Sequence, residues 1–282
     1  AQGNQDGNSV GDFYYEPPSG YLALCTSNLP DPEIKLPGDH FNTVLWTGDD
    51  ADPRTISGLD YQPDALWIKA RSGTYSTQDH CMNDAVRGAG VVLRVNQDND
   101  EEIDTNNVLS FTSDGWTMGD DGKTNKGSTD YVGWSWKGDG VAGGTLNEEG
   151  TIDTQVNVNT TAGFSILTYT GTGVSATIGH GLSQAPEWFV IKTRDYDRNW
   201  LVYNKPLGAT YHLILDENNA ANTSSNYFND TEPTASVITL GTDSLVNDTE
   251  DYVAYCFSSI EGYSKVGSYE GNANADGSFV YT

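Results

Sequence analysis

One stretch of this sequence occurs twice, and that limits what the chain can become. Residues 163–192 read GFSILTYTGTGVSATIGHGLSQAPEWFVIK, and residues 40–69 read HFNTVLWTGDDADPRTISGLDYQPDALWIK. At a constant offset of 123 residues, Phe41 falls on Phe164, Trp46 on Tyr169, Gly48 on Gly171, Pro63 on Pro186 and Lys69 on Lys192. A fixed offset held across a strand-loop-strand unit marks a duplicated domain. The match continues downstream at offsets of 120 to 122: Arg87–Ala89 on Leu207–Ala209, Trp116–Gly119 on Ile238–Gly241, and Tyr131–Trp136 on Tyr252–Phe257. Drift of that size is what indels in surface loops produce. Charged tips diverge while aromatic and β-branched positions persist, so the repeat is a packing unit first.

Within each copy the first strand alternates. Phe41, Thr43 and Leu45 are set against Asn42, Val44 and Trp46, so both faces carry apolar residues, as in sheets that pack face to face. Gly/Asp/Asn/Thr clusters then punctuate at short intervals, the signal of many short antiparallel strands. Asp64–Lys69 and Glu187–Lys192 are the strongest strands, and Ser113-Asp114-Gly115 makes a tight turn into Trp116. No stretch shows sustained helical periodicity with caps; the turns at 82–88 and 199–207 are left as helical or irregular. The expected fold is all-β, two antiparallel β-sandwich repeats in tandem with an extended N-terminal arm. Repeat 1 covers residues 40–140, a linker 141–162, and repeat 2 residues 163–262. Residues 263–282 start a truncated third repeat or form exchanged strands, because Tyr263–Asn272 echoes Phe164–Gly173 with one inserted residue. Residues 1–39 are an arm or the end of a preceding domain, held extended between 29 and 37 by Pro30, Pro32 and Pro37.

The formal charge of −26, with 14 Lys and Arg, argues against a nucleic-acid partner, since nothing offsets phosphate repulsion. It suits a saline or extracellular setting where self-repulsion is screened. No apolar run approaches the length of a membrane span, so no membrane insertion is expected. The three cysteines, Cys25, Cys81 and Cys256, cannot complete a disulfide framework. Cys256 aligns with Ser135 in an apolar strand and reads as a buried thiol, while a Cys25–Cys81 bridge stays open. The chain opens Ala1-Gln2-Gly3 without an initiator Met or signal peptide, which suggests a processed product or a piece of something longer.

Chemistry-bearing patterns are sparse. Carboxylates sit mainly in loops, and no pair is embedded in an apolar strand of both repeats, so the catalytic set is expected to be empty and the chain not an enzyme. No cofactor is expected. Asp98, Asp100, Glu102 and Asp104 offer the oxygens for a structural Ca²⁺, although their segment lacks the turn glycine and distal Glu of an EF-hand. His40, His80, His180 and His212 have no metal-ligand spacing, and His180 between glycines reads as an imidazole bonded to backbone. Four Asn-x-Ser/Thr sequons, at Asn159, Asn222, Asn229 and Asn247, are what an Asn/Thr-rich chain produces by chance. Most tryptophans lie in expected strands, where packing is their job; Trp200 and Tyr75 are the candidates for a surface platform that stacks on glycans.

The segment PPSGYLALCTSNLP (Pro17–Pro30) resembles a linker motif of large structural proteins of tailed, often marine, bacteriophages. There it follows a SPRY-like or concanavalin-like sandwich and leads into tandem repeats. The stretches beginning at Phe41 and Gly163, the Gly-His-Gly-Leu at Gly179–Leu182 and Asp251–Phe257 are similar too. The resemblance implies jelly-roll or concanavalin-like sandwiches and a non-enzymatic virion structural protein, outside the cell, in a tail fibre or appendage that contacts the host surface. It implies other virion proteins, further copies of itself and host-surface glycan as partners. A carbohydrate-binding lectin-like module and a capsid decoration or extracellular filament subunit are the alternatives. The chain departs from these proteins at both ends, holding only a short segment before the first repeat and stopping where a relative would continue.

Overall fold

The computed structural model describes residues 3–29, 31–278 and 280, and it is all-β, built from several antiparallel sheets. The first block contributes β1 (Phe41–Thr47), β2 (Arg54–Ser57), β3 (Ala65–Ala70), β4 (Cys81–Asp84), β5 (Gly88–Arg94), β6 (Glu102–Ile103), β7 (Val108–Thr112), β8 (Gly115–Met118) and β9 (Asp130–Trp136). The second contributes β10 (Thr145–Asn147), β11 (Thr154–Asn159), β12 (Phe164–Thr170), β13 (Ala176–Gly179), β14 (Trp188–Thr193), β15 (Leu201–Asn204), β16 (Tyr211–Ile214), β17 (Asn222–Thr223), the one-turn helix α1 (Ser225–Phe228), β18 (Val237–Leu240) and β19 (Asp251–Phe257).

The larger sheet of the first block runs β1-β9-β3-β4-β5-β6, and that of the second runs β10-β11-β12-β19-β14-β15-β16-β17. The shared centre is the same: β1-β9-β3-β4-β5 matches β12-β19-β14-β15-β16 strand for strand. Smaller sheets, β2-β8-β7 and β13-β18, match through β2-β8 and β13-β18. Register matches as well. Phe41 pairs with Trp136 and Thr47 with Asp130; Phe164 pairs with Phe257 and Thr170 with Asp251.

Side-chain detail repeats with the register. Trp46 stacks on Tyr131 at 5.6 Å, and Tyr169 on Tyr252 at 5.1 Å. Trp46 Nε1 donates to the Thr124 carbonyl, and Tyr169 Oη to that of Val246. Asn125 accepts from Asp49 N–H and donates to the Ala51 carbonyl; Asn247 accepts from Thr172 N–H and donates to that of Val174. At Gly48 and Gly171 a Cβ would collide with the carbonyl oxygens of Lys126 and Asp248 respectively, so both turns require glycine. These buried contacts are why the offset survives at aromatic, Asn and Gly positions.

Three cores lie between four layers. Trp46, Leu66, Ile68, Trp116, Met118 and Tyr131 fill the space between the sheets of the first block. Leu167, Tyr169, Phe189, Ile191, Ile238 and Tyr252 do so in the second. The third core is the seam between the two larger sheets: Ala65, Met82, Leu93 and Val95 from one side, and Phe164, Ile166, Val190, Trp200, Val202, Val253 and Tyr255 from the other. A fully buried apolar side chain of this size contributes ~1.5–3 kcal/mol. A seam of 11 buried residues is therefore cohesive, unlike the polar contacts that let domains move.

Three expectations are corrected. Residues 141–162 are not a plain linker, since β10 and β11 add two strands to the larger sheet of the second block. The N-terminal segment does not run extended: the Asp6 carboxylate accepts from the backbone N–H of Asn8, Val10 and Ala23 and from Asn28, which folds residues 4–28 into a loop. Within it Phe13 makes a single antiparallel bridge to Asn4. At the other end Ile34 packs with Ala162 and Ile260, and Glu33 N–H donates to the Glu261 carbonyl, so the arm covers the chain as far as Gly262. Residues 267–278 and 280 are exposed and form no strand, so no third copy is built there; Phe279, Tyr281 and Thr282 lie outside the described residues. Among the described residues no helix is long and apolar enough to cross a membrane.

Candidate binding cleft at the seam

Strand alternation places Trp67 of β3, Trp134 and Trp136 of β9, and Trp188 of β14 on the seam-facing side of their sheets. The seam does not close fully over them. Trp67, Trp136 and Trp188, with Met82, Trp200 and Phe257 among their neighbours, line an apolar cavity of about 250 Å³. Its rings interlock: Trp136 lies 6.1 Å from Phe164, Trp188 5.4 Å from Phe257, and Trp200 6.4 Å from Tyr255. Val266, the last residue before the exposed C-terminal segment, closes one side.

Three of the residues lining this cavity also border a polar cleft of about 550 Å³. Its walls are Trp67, Val95 and Leu215 together with His80, Asn96, Asp216, Glu217 and Asn218. Trp67 is fixed there because its indole N–H donates to His80 Nδ1 at 2.9 Å. His80 therefore accepts at Nδ1 and carries its proton on Nε2. Burial, with Lys69 nearby, lowers the His80 pKa and keeps the ring neutral near pH 7. Asn96 accepts from His80 N–H, and Asp216 accepts from Trp200 N–H and from Asn199.

Beyond the apolar part, the seam is held by charge. The Arg87 side chain is fully buried; its Nε lies 2.6 Å from Asp84 Oδ2, and Nη2 donates to Tyr255 Oη at 3.2 Å. Tyr255 Oη in turn donates to Asp84 Oδ2 at 2.6 Å. Burial lowers the Arg87 pKa, but Asp84, Tyr255 and Glu101 together outweigh it and carry the value upward. Glu101 completes the cluster with a bidentate pair to Arg194, both bonds 2.8 Å.

This explains the acidic segment after β5. Glu101 N–H donates to the Arg194 carbonyl, Asp100 N–H to Asp197, and Arg198 N–H to the Asp98 carbonyl, so the segment is a docking loop on the second block. The candidate Ca²⁺ ligands are not gathered round one point. Glu102 and Asp104 are shared by Lys123, Glu102 also pairs with Arg94, and Asp98 and Asp100 lie against residues 197 and 198. Among the described residues no group of three or more His, Cys, Asp or Glu could hold a metal ion.

Of the two candidate glycan platforms, Trp200 is not on the surface. It is 1% exposed, and its indole N–H donates to the carbonyls of Arg94 and Gln97, across the seam. It fell in a polar stretch only because its strand begins at the next residue. Tyr75 is partly buried, its ring over Gly122, where a Cβ would come within 2.6 Å. Trp67, Trp136 and Trp188, read as ordinary core, line the cleft instead. The available signal was the double-faced apolar pattern of both blocks, which implies a second partner for each sheet.

The remaining candidates are settled locally. His180 accepts from Leu182 N–H at Nδ1, and Nε2 lies 3.2 Å from the Thr234 carbonyl, the backbone role expected of it. All three cysteines are free, so no Cys25–Cys81 bridge forms; Cys81 and Cys256 are buried. No curated protein and no solved structure matches the chain. A family model described as a domain of unknown function, DUF7483, matches residues 36–282, and the chain belongs to that family.

Proposed function

We propose that this chain is a non-enzymatic structural component of a virion, part of a tail fibre or similar appendage that contacts the host surface outside the cell. On this reading it is two tandem sandwich repeats of the jelly-roll or concanavalin-like kind. The shared strand order and register of the two blocks support that. The observation that carries the role is the seam. Two copies of one unit are welded face to face by an apolar core and a buried arginine–carboxylate network, which makes a stiff element rather than a hinged pair. The resemblance of Pro17–Pro30 and of the repeats to phage structural proteins points the same way. So do the exposed Tyr14, Tyr15, Tyr21 and Leu24 of the N-terminal loop, which suit contact with neighbouring virion proteins or further copies of the chain. The non-enzymatic reading leans on carboxylates held in ion pairs and loop caps, such as Asp84, Glu101 and Asp6.

The test is imaging of native particles with antibody raised against the chain. Label on a fibre or appendage is expected. Particles free of label, with the chain recovered only apart from virions, would refute the role.

A further inference from the structure

The polar cleft beside Trp67 combines apolar and polar side chains. It brings an aromatic ring and an aliphatic side chain, Trp67 and Leu215, together with the planar polar groups of His80, Asn96, Asp216 and Glu217. The Trp67 ring cannot turn away, because its N–H is tied to His80 Nδ1, and the same bond leaves His80 Nε2–H as a donor. A pyranose matches such a site. Its C–H face lies on an aromatic plane while its hydroxyls bond carboxylates, amides and an imidazole N–H. Charge narrows the class. Asp216 and Glu217 line the cleft with no Lys or Arg among the lining residues, so sialic or uronic acids would meet like charge. The adjoining apolar cavity of about 250 Å³ gives room for an apolar substituent such as an N-acetyl or 6-deoxy methyl group.

We infer that the cleft beside Trp67 binds a neutral oligosaccharide, with Trp67 as the stacking platform and Asp216, Glu217 and His80 as hydroxyl partners. The inference specifies the ligand of the host-contact role proposed above. It stands or falls separately, because sugar binding can be measured on the isolated chain whatever particle imaging shows.

The experiment titrates the full chain with neutral gluco-, manno-, fuco- and N-acetylglucosamine hexasaccharides and with a polysialic and a polyuronic hexasaccharide. It follows the indole N–H resonances, that of Trp67 being the one lost in Trp67→Phe. Saturable shifts of the Trp67 signal by at least one neutral sugar are expected. Trp67→Ala should weaken binding about ten-fold or more, the scale of losing an aromatic anchor. Glu217→Gln, on an exposed side chain, should weaken binding without moving the melting temperature, which separates the site from folding. No shift with any neutral sugar up to millimolar concentration overturns the inference. So does preference for the acidic sugars, or self-association that Trp67→Ala abolishes, which would make a second copy the occupant.

Discussion

Lys192 offers a measurement of how dry the seam is. It shares a face of β14 with Trp188 and Val190, is fully buried, and donates to the carbonyls of Thr193 and Tyr196, at 2.9 and 3.3 Å. Burial drives its pKa from 10.5 down to about 8, against the pull of Asp216, Asp100, Asp197 and Asp98. The folded pKa is below the unfolded one, so between pH 8 and 10.5 the unfolded chain binds more protons and stability rises with pH. Below pH 8 both states are protonated, and the cost of burying the charge is present in full. From pH 7 to pH 9 the gain is about 1.3 kcal/mol, close to a factor of ten in the folding constant. Lys192→Met keeps the length and removes the titration. Urea unfolding of both proteins at pH 7, 8 and 9 should give a difference that shifts in favour of the wild type by that amount as pH rises. The ionisation of Cys81 and Cys256 cancels in the comparison. Parallel pH profiles for the two proteins would refute the argument.

Cys256 and Cys81 have thiols pushed up to about 12 by burial, so native protein at pH 8 should label at Cys25 alone; Cys256 reacting as fast as in denaturant would contradict this. Gly48→Ala and Gly171→Ala should each destabilise by ~1–3 kcal/mol in chemical denaturation, because each new methyl meets a backbone carbonyl; a loss under ~0.5 kcal/mol at either would show that the turn can yield. Asp6→Ala should open residues 4–28 to limited proteolysis while leaving the main thermal transition in place, since Asp6 ties that loop to itself. A large drop in that transition would mean the loop supports the core.

The repeat was legible because the contacts behind it tolerate few substitutes. Trp46 and Tyr169 hold equivalent carbonyls, Asn125 and Asn247 latch equivalent turns, and Gly48 and Gly171 have no room for a Cβ. Alternation likewise showed that both faces of the sheets are apolar. It could not say what covers the second face, because period two is blind to which layer a side chain meets. Hence alternation puts Trp200 at the surface and Trp67 in the core, whereas the seam buries the first and leaves the second at the edge of a cleft. The acidic loop at 98–104 read as a cation site because its partners, Arg194 and Arg198, lie some hundred residues away in sequence. The loop around Asp6 rests on one carboxylate and backbone N–H groups, which leave no periodic trace.

The seam is also where the two copies stop being alike. Asp84 and Arg87 align, at an offset of 120 residues, with Asn204 and Leu207. The first block therefore carries a buried ion pair where the second carries neutral residues, and the pair reaches across to Tyr255. A face that meets a non-identical partner can diverge in this way, and the divergence makes the contact specific. Arg87→Leu, the change toward the second copy, would leave the Asp84 carboxylate buried beside Tyr255 without its cation. Removing one partner of such a pair costs about 3–5 kcal/mol. Adding Asp84→Asn removes the stranded charge as well, so the double variant should recover most of that loss and lie within ~1.5 kcal/mol of the wild type, as buried pairs replaced together often do. Urea denaturation of the two single variants and the double variant closes the cycle. If Arg87→Leu costs less than ~1 kcal/mol, or if the two losses simply add, the pair is not coupled. The specificity of the seam would then rest on its apolar core alone.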